Sequence, residues 1–329
     1  MNRRPGQDQA LDFGRSRRVR GRGPDVRLPL AERLRAARRV PQAVVKVVSF
    51  ARGEKRFREL MAYISQVGSL PLETETGDLV KSLEEQKELA ALWAASFDKR
   101  KNSRDAAHIV FSMPPGSSPE ALRKAVRTVL TGHFAGHRSV FAIHEDRKHP
   151  HAHAVIQMRG REKKLELKKA DLHRLREVFA EAARKQGVML AASPRAARGV
   201  GRKAVRRPVY QLRAKGIVPR VHEEAAREFL EETKRGNLQE KPWEKAIRLR
   251  HDLEKRTYLE EAQKLRMASA KGDAKSRDAF LKAAGELELF ARTMPTPRTR
   301  RMSWLEKFRK AAGLISPEHG KEKDSGPER

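Results

Sequence analysis

The sequence predicts an α+β fold, in which an antiparallel β-sheet has helices packed mainly on one face and is followed by a helical C-terminal region. Short β-branched or apolar runs alternate with stretches of helical spacing between residues 42 and 200. Two of these runs are separated by only a short polar connection, which is typical of neighbouring antiparallel strands. Beyond residue 220 the apolar positions keep helical spacing, so no further sheet is expected there.

The chain begins with a basic segment. Residues 1–40 contain twelve Arg, no Lys and four acids, and we expect residues 1–41 to be a disordered arm with at most a short helix over 30–39. The elements predicted next are a strand over 43–50, helices over 55–66 and 77–98, a strand over 107–113, a capped helix over 119–132, strands over 139–144 and 152–158, a short strand over 165–167, a helix over 170–186 and a short strand over 188–191.

The remainder of the chain is predicted to be a linker and helices. Residues 192–220 hold nine Lys or Arg and no acid, and Gly and Pro interrupt them, so 201–220 are expected to form a basic linker. Residues 221–313 are charged with helical spacing, most clearly over 251–266 and 273–289. A disordered tail is expected over 314–329. The predicted globular domain therefore covers residues 42–200.

The charge of the chain limits its partners. The formal net charge is +31, with 73 Lys and Arg against 42 Asp and Glu, which favours nucleic acid over other soluble partners. A membrane surface is the alternative, although no apolar run approaches the length of a membrane span and the N-terminus lacks the core of a signal peptide, so membrane insertion is not expected. The absence of Cys excludes thiolate chemistry and is compatible with a cytoplasmic location.

The strongest chemical signal is a cluster of four His within residues 144–153, in a chain that has eleven. Side chains i and i+2 of a strand share a face, so His151 and His153 point the same way, and His144 on the preceding strand can join them. Three neutral imidazoles around one point make a divalent-metal site with open positions. The three imidazoles would bind several first-row ions, and the order of affinities alone does not choose among them. The ion that we expect is Mg²⁺ or Mn²⁺.

Two other functional interpretations fit the same residues. The pattern His149-Pro-His151-Ala-His153 also fits histidine-triad nucleotide hydrolases, in which the middle His is a nucleophile and no metal is needed. A cupin-type His-x-His site normally has a Glu a few residues further on, and the next acid here is Glu162. A cluster of satisfied or surface His with no function is the remaining alternative.

Three motifs follow one another along the chain. They are Tyr63-Ile-Ser-Gln-Val-Gly68, His108-Ile-Val-Phe-Ser-Met-Pro114, and His144-Glu-Asp146 with Pro150-His-Ala-His153. Together they resemble conjugative DNA relaxases of the MobP type, which are similar to T-DNA border endonucleases and belong to the His-hydrophobe-His (HUH) endonuclease superfamily. The resemblance runs from about residue 45 to 200. Relaxases carry the Tyr before the His pair, as here, whereas replication initiators of the superfamily carry it after.

The resemblance implies a function and a site. Tyr63 is implied as the nucleophile that forms a 5′-phosphotyrosine with one DNA strand at a transfer origin, and Asp146 as a group that orients a ligand His or accepts the phenol proton. By spacing alone, ordinary amphipathic helix packing is the more frequent role of a Tyr at such a position. The residues expected to bind DNA are His108, Ser112, Arg138, Lys148 and His149. A non-catalytic nucleic-acid-binding protein remains the rival hypothesis.

The same resemblance implies partners. Single-stranded and supercoiled DNA at a transfer origin would be the substrate. Accessory relaxosome proteins and a type IV coupling protein would be the protein partners, bound through the helical C-terminal region. The protein would act in the bacterial cytoplasm and could be exported to a recipient cell attached to the DNA strand.

Overall fold

The computed structural model describes residues 28–98, 100, 103–200, 207–236, 239–296 and 300–311. Up to residue 200 the elements are α1 (Leu30–Ala37), β1 (Val44–Ala51), α2 (Gly53–Ile64), β2 (Leu72–Thr74), β3 (Leu79–Val80), α3 (Leu83–Ala94), β4 (Ala106–Ser112), α4 (Pro119–His133), β5 (Ser139–His144), β6 (His151–Gln157), α5 (Lys169–Lys185) and a 3₁₀ turn (Ala196–Arg198). The helices that follow are α6 (Arg207–Ala214), α7 (Arg220–Lys234), α8 (Pro242–Ser269), α9 (Ala274–Thr293) and α10 (Arg300–Ala311).

The predicted α+β class is confirmed. Six strands form one antiparallel sheet in the order β1-β4-β6-β5-β2-β3, and the C-terminal part is helical. The hairpin β5–β6 pairs His144 with His151, and β4 lies on the other side of β6 with Ser112 opposite His151. This arrangement places the ends of three strands around the His-rich loop.

Helices cover both faces of the sheet, whereas the sequence pattern predicts them mainly on one. On one face α2 and α3 pack through Phe57 and Trp93 onto Val155, and on the other α4 and α5 pack through Val126 and Phe179. The reason is that every residue of β5 and β6 is buried, so both of their faces need an apolar cover. The His cluster lies on the face covered by α2, because the side chains of His153 and Val155, two residues apart, lie on the same side of β6.

Some of the predicted elements differ in the structure. The helix expected over 77–98 begins only at Leu83, because Ser82 and Glu85 form a capping box and the residues before it pair with β2. The stretch 165–167 packs on the core without forming a strand, and 188–191 contributes one parallel bridge between Gln42 and Ala191.

The boundaries of the predicted arm and linker also change. The short helix expected over 30–39 within the arm is present as α1, over 30–37, and residues 207–214 of the expected linker form helix α6. Residues 1–27 of the arm, 201–206 of the linker and 314–329 of the tail lie outside the described residues.

Helix α1 connects the sheet domain to the α8–α9 hairpin. Glu32 accepts a hydrogen bond from the backbone N of Ala192 at 2.7 Å, while Arg33 lies 3.6 Å from Glu254 and Arg38 lies 2.8 Å from Glu286. Leu30 and Leu34 pack against the apolar core of that hairpin. Because these contacts bury apolar surface and polar groups together, α1 belongs to the ordered fold.

Tyr258 of α8 provides a test of this packing. Its side chain is fully buried, and its hydroxyl donates to the carbonyl of Ala197 at 2.8 Å. Burial raises the pKa of Tyr258 to about 12, so the phenol stays protonated and keeps donating. Tyr258→Phe leaves that carbonyl without its donor and should lower the free energy of unfolding by about 1–3 kcal/mol in urea titrations.

Tyr210→Phe is the matched control, because Tyr210 is 54% exposed and should change stability by less than about 0.5 kcal/mol. Equal urea midpoints of unfolding for Tyr258→Phe and the unmodified chain would contradict this account of the packing of α8.

Among the described helices, none is both long and apolar enough to cross a membrane.

Candidate metal centre and active site

Three imidazole rings meet where β5 ends and β6 begins. His144, His151 and His153 each offer one ring nitrogen, and these nitrogens lie within 4.8 Å of one another. The ring centroids of His144 and His153 are 4.4 Å apart, and that of His151 lies 5.3 Å and 5.1 Å from them. All three residues are buried. The structure thus brings together the three His that the sequence pattern predicts as ligands.

Two of these rings are oriented by backbone carbonyls. Nε2 of His144 donates to the carbonyl of Ile64 at 2.7 Å, at the end of α2. Nδ1 of His151 donates to the carbonyl of His149 at 3.2 Å. A nitrogen that donates carries the proton, so the opposite nitrogen of each ring keeps its lone pair. Ligand His of metal sites are commonly oriented by such hydrogen bonds.

The third ring is oriented by another His. Nδ1 of His153 lies 2.7 Å from Nε2 of His108, and Nδ1 of His108 lies 3.5 Å from Oγ of Ser49. Burial, and then the charge of His144, lower the pKa of His153 to about 3 and that of His108 to about 4. Both rings are therefore neutral at pH 7, the form that binds metal. His108, predicted from the sequence as a DNA contact, lies instead behind His153.

This donor set fits a divalent cation. The three ring nitrogens converge on one point, and the other nitrogen of each ring is already engaged. His144, His151 and His153 would hold the ion and leave coordination positions open, as in sites that act on substrate. Several first-row cations suit such a set.

The position of His108 leads to a prediction on metal binding. His108→Ala removes the partner of Nδ1 of His153, so the affinity for Mn²⁺ should fall about 10- to 100-fold in calorimetric titrations. His149→Ala is the matched control. The side chain of His149 is exposed and only its backbone carbonyl orients His151, so affinity should not change. Unchanged Mn²⁺ affinity in His108→Ala would show that the contact plays no part in holding metal.

Tyr63 projects beside this cluster. It lies in the last turn of α2 and is 60% exposed, although its neighbours Met61 and Ile64 are buried. Its ring centroid is 5.7 Å from that of His153 and 6.1 Å from that of His108, both in edge-on geometry. The phenol thus stands at the His cluster and is open to solvent.

A strained turn follows Tyr63, and no pattern in the sequence predicts it. Gln66 and Val67 have positive φ values of 50° and 57°, which non-glycine residues rarely adopt, and Gly68 follows at 85°. The turn is held by Oγ of Ser65, which donates to Gln86 at 3.0 Å and accepts from the backbone N of Gly68 at 3.0 Å. Nε2 of Gln66 lies 3.5 Å from Nδ1 of His144. Such strain is concentrated at functional sites.

The loop between β5 and β6 presents polar groups to the cluster. A carboxylate oxygen of Asp146 lies 3.8 Å from Nε2 of His151, the nitrogen that keeps its lone pair. The orienting role expected for Asp146 is filled instead by the carbonyl of His149, which holds the opposite nitrogen. Asp146, Lys148 and His149 are all exposed on this loop.

Ser112 and Arg138, the two predicted site residues that remain, lie at opposite ends of the sheet. Ser112 ends β4 opposite His151, and its hydroxyl donates to the carbonyl of Pro150 at 3.4 Å, so the structure places it beside the cluster. Arg138 precedes β5 and donates to the carbonyl of Leu92. Arg138 lies at the opposite end of β5 from His144. Because a strand rises about 3.4 Å per residue, the two residues are roughly 20 Å apart. The structure does not bring Arg138 to the cluster.

Two sequence similarities to known proteins include this part of the chain. Residues 72–188 match the family model "Relaxase: MobA/VirD2-like, nuclease domain". That range contains His108, His144, His151 and His153 and leaves out Tyr63. The chain is also similar to the T-DNA border endonuclease VirD2 of Rhizobium radiobacter, at 27% identity over 189 residues.

That similarity covers 50% of this chain and 44% of the relative, so the chain spans less than half of that protein. The family match covers strands β2 to β6, which include the two strands that hold the three buried His. Residues 72–188 of this chain are therefore similar to a relaxase nuclease domain of the MobA/VirD2-like type.

Proposed function

We propose that this protein nicks one DNA strand at a transfer origin by transesterification on Tyr63, and that it stays attached to the 5′ end. The observation that carries the proposal is the exposed phenol 5.7 Å, between ring centroids, from His153 of a three-His cluster. The nuclease domain type supports a DNA substrate, and a net charge of +31 suits a polyanion.

The step conserves the energy of the broken phosphodiester bond. The phenolic oxygen of Tyr63 attacks the scissile phosphorus, a bond forms between that oxygen and phosphorus, and the bond from phosphorus to the 3′ oxygen breaks. The leaving 3′ oxygen takes up a proton and becomes a hydroxyl. Asp146 accepts the proton of the phenol, a role that its exposed carboxylate near His151 allows. Attack by a DNA 3′-hydroxyl on the phosphotyrosine reverses the step.

The divalent cation, Mg²⁺ or Mn²⁺, would be held by His144, His151 and His153. When bound, it supplies positive charge that polarises the scissile phosphate and offsets charge developing on its oxygens. The contribution of the chain is to orient the rings, through the carbonyls of Ile64 and His149 and the ring of His108.

Other residues near the cluster are proposed to hold the DNA strand. Ser112 lies opposite His151 at the strand end, and Lys148 and His149 are exposed on the adjoining loop. Hydroxyl, ammonium and imidazole groups all donate hydrogen bonds to phosphate oxygens. The helices after residue 206 are proposed to bind accessory relaxosome proteins and a type IV coupling protein, so that the attached strand is piloted to a recipient cell.

The test is formation of a covalent complex. The full chain is incubated with Mn²⁺ or Mg²⁺ and with single-stranded oligonucleotides that tile the DNA flanking its own gene, and the products are separated under denaturing conditions. A labelled oligonucleotide that migrates with the protein supports the proposal. Binding without any adduct across the tiled set would favour the rival, a non-catalytic nucleic-acid-binding protein. Cleavage of a nucleotide phosphoramidate without an adduct would favour a histidine-triad hydrolase.

A further inference from the structure

A second basic surface lies at the end of the sheet opposite the His cluster. Three adjoining clefts of about 360, 400 and 580 Å³ open there, around the start of β4 and β5 and the end of β6. Eight exposed basic residues line them, of which Arg100 and Lys168 pair with acids. We call the other six the distal basic surface: Arg104, Arg138, Arg159, Arg161, Lys163 and Lys164.

The six bases of the distal basic surface outnumber the three lining acids that are not paired with a base, Glu75, Asp105 and Glu162. Among the acids that line the clefts, Asp98 pairs with Arg100 and Glu166 with Lys168. Asp105 accepts hydrogen bonds from two backbone N–H groups, and Glu75 accepts one from Ser139. Within the described residues, none of the six bases forms an ion pair with a carboxylate, and Glu162 is the lining acid that remains. Exposed cations without partner carboxylates favour an external polyanion.

This surface is too far from Tyr63 to contact the scissile phosphate. Strand β6 runs from His151 at the cluster to Gln157, which lines the second cleft, and at about 3.4 Å per residue it spans roughly 20 Å. Phosphates of one duplex strand are about 3.4 Å apart along the helix axis, so this distance corresponds to roughly six base pairs. Any nucleic acid bound at the distal basic surface would therefore be a different stretch from the one at Tyr63.

The character of the clefts favours duplex over single-stranded DNA. Grooves that bind single strands combine positive charge with exposed aromatic rings on which bases stack. The two Phe rings that line these clefts are Phe50, which is covered by the guanidinium of Arg104 at 4.4 Å, and Phe97, which packs edge-on against Phe57 at 5.4 Å. The imidazole of His137, which lines the second cleft, is buried. With these rings covered and the cations exposed, the surface suits backbone phosphates rather than bases.

We propose that the distal basic surface binds the phosphate backbone of duplex DNA that flanks the single-stranded segment held at Tyr63. This inference rests on the proposed function for its placement beside the nicked strand. It assigns Arg138, which the sequence pattern places near the cut, to duplex binding at the opposite end of the sheet.

The experiment compares two triple variants that change charge equally. In the first, Arg159, Arg161 and Lys163 are all replaced by Glu. In the control, Lys124, Arg174 and Lys185 are replaced by Glu. They lie on α4 and α5, which cover the face of the sheet opposite α2 and α3. The three residues changed in each variant are all exposed. Affinity of the full chain is measured by fluorescence anisotropy for a random-sequence 20-base-pair duplex and for a 20-nucleotide single strand, over a range of salt concentrations.

The first variant should bind the duplex at least about tenfold more weakly, and the slope of log affinity against log salt should become shallower by about 2–3, since each lost phosphate contact contributes about 0.9. Single-strand affinity and the yield of the Tyr63 adduct on a short oligonucleotide should change less than threefold, and the control should keep duplex affinity. Equal losses in both variants, or an equal loss for single strand and duplex, would overturn the proposal. Absence of any adduct in the unmodified chain would instead count against the nicking function, and duplex binding would still be measurable.

Discussion

Replacing Tyr63 with Phe is expected to lower the yield of the covalent DNA adduct by at least about 10³-fold, a loss comparable with removal of other enzyme nucleophiles. Phe keeps the ring and its edge-on contacts with His108 and His153 and removes the oxygen that would form the bond to phosphorus. Because Tyr63 is 60% exposed, the change should not disturb folding. Adduct yield on denaturing gels, with binding of DNA and Mn²⁺ measured in parallel, checks this prediction.

Tyr210 provides the control for the Tyr63 variant. It is also exposed, at 54%, but it lies on α6, outside the cluster. Tyr210→Phe should form adduct at the normal yield, and Tyr63→Phe should bind DNA and Mn²⁺ with unchanged affinity. Adduct that persists in Tyr63→Phe and disappears in Tyr210→Phe would overturn the assignment of the nucleophile.

Removal of a ligand His should have the second large effect. His153→Ala deletes the ring whose centroid lies 4.4 Å from that of His144 and 5.1 Å from that of His151. Since loss of an outer hydrogen-bond partner typically costs 10- to 100-fold, loss of the ligand itself should weaken Mn²⁺ binding by more than about 100-fold. Calorimetric titration with Mn²⁺ measures this directly, and adduct yield should fall with it.

Replacement of a His outside the cluster is the control for the His153 variant, because it removes an imidazole that is not a predicted metal ligand. His133 lies at the end of α4 on the opposite face of the sheet, so His133→Ala should leave both Mn²⁺ affinity and adduct yield unchanged. If His153→Ala bound Mn²⁺ as tightly as the unmodified chain, the three-His site would not be the metal centre. If it lost metal but kept full adduct yield, the nicking step would not depend on the ion.

The geometry of the three-His cluster was predictable because it follows from strand periodicity. Alternation puts His151 and His153 on one side of β6, and the short connection forces His144 to lie directly opposite His151. Proximity in sequence is misleading for Arg138, which is only six residues from His144. Those six residues form an extended strand, so their separation in space is near its maximum.

Other features of the site depend on long-range register. His108 reaches His153 because β4 pairs with β6 so that Val110 lies opposite His153, and that register is set by burial across the whole sheet. The strained turn at Gln66 and Val67 was unpredictable for another reason. Neither residue is a glycine, and the turn exists because Ser65, Gln86 and the carbonyl of Ile64 hold the end of α2 against the sheet.

Helix α1 illustrates the limit of compositional arguments. The first forty residues are rich in Arg, which favours a solvated arm. In the structure Arg33 lies 5.1 Å over the ring of Tyr258, and Glu32 caps the backbone of Ala192, so two charged residues are buried with partners. These partners come from parts of the chain more than 150 residues away in sequence, and composition contains no information about them.

Mass spectrometry of the adduct tests the central claim most directly. After digestion with nuclease and trypsin, cleavage at Arg58 and Lys81 releases a peptide that contains Tyr63 as its sole Tyr. We expect this peptide to carry the added mass of a 5′-linked nucleotide and fragmentation to place it on Tyr63. A nucleotide on Tyr210, on Tyr258 or on a His of the cluster would contradict the mechanism.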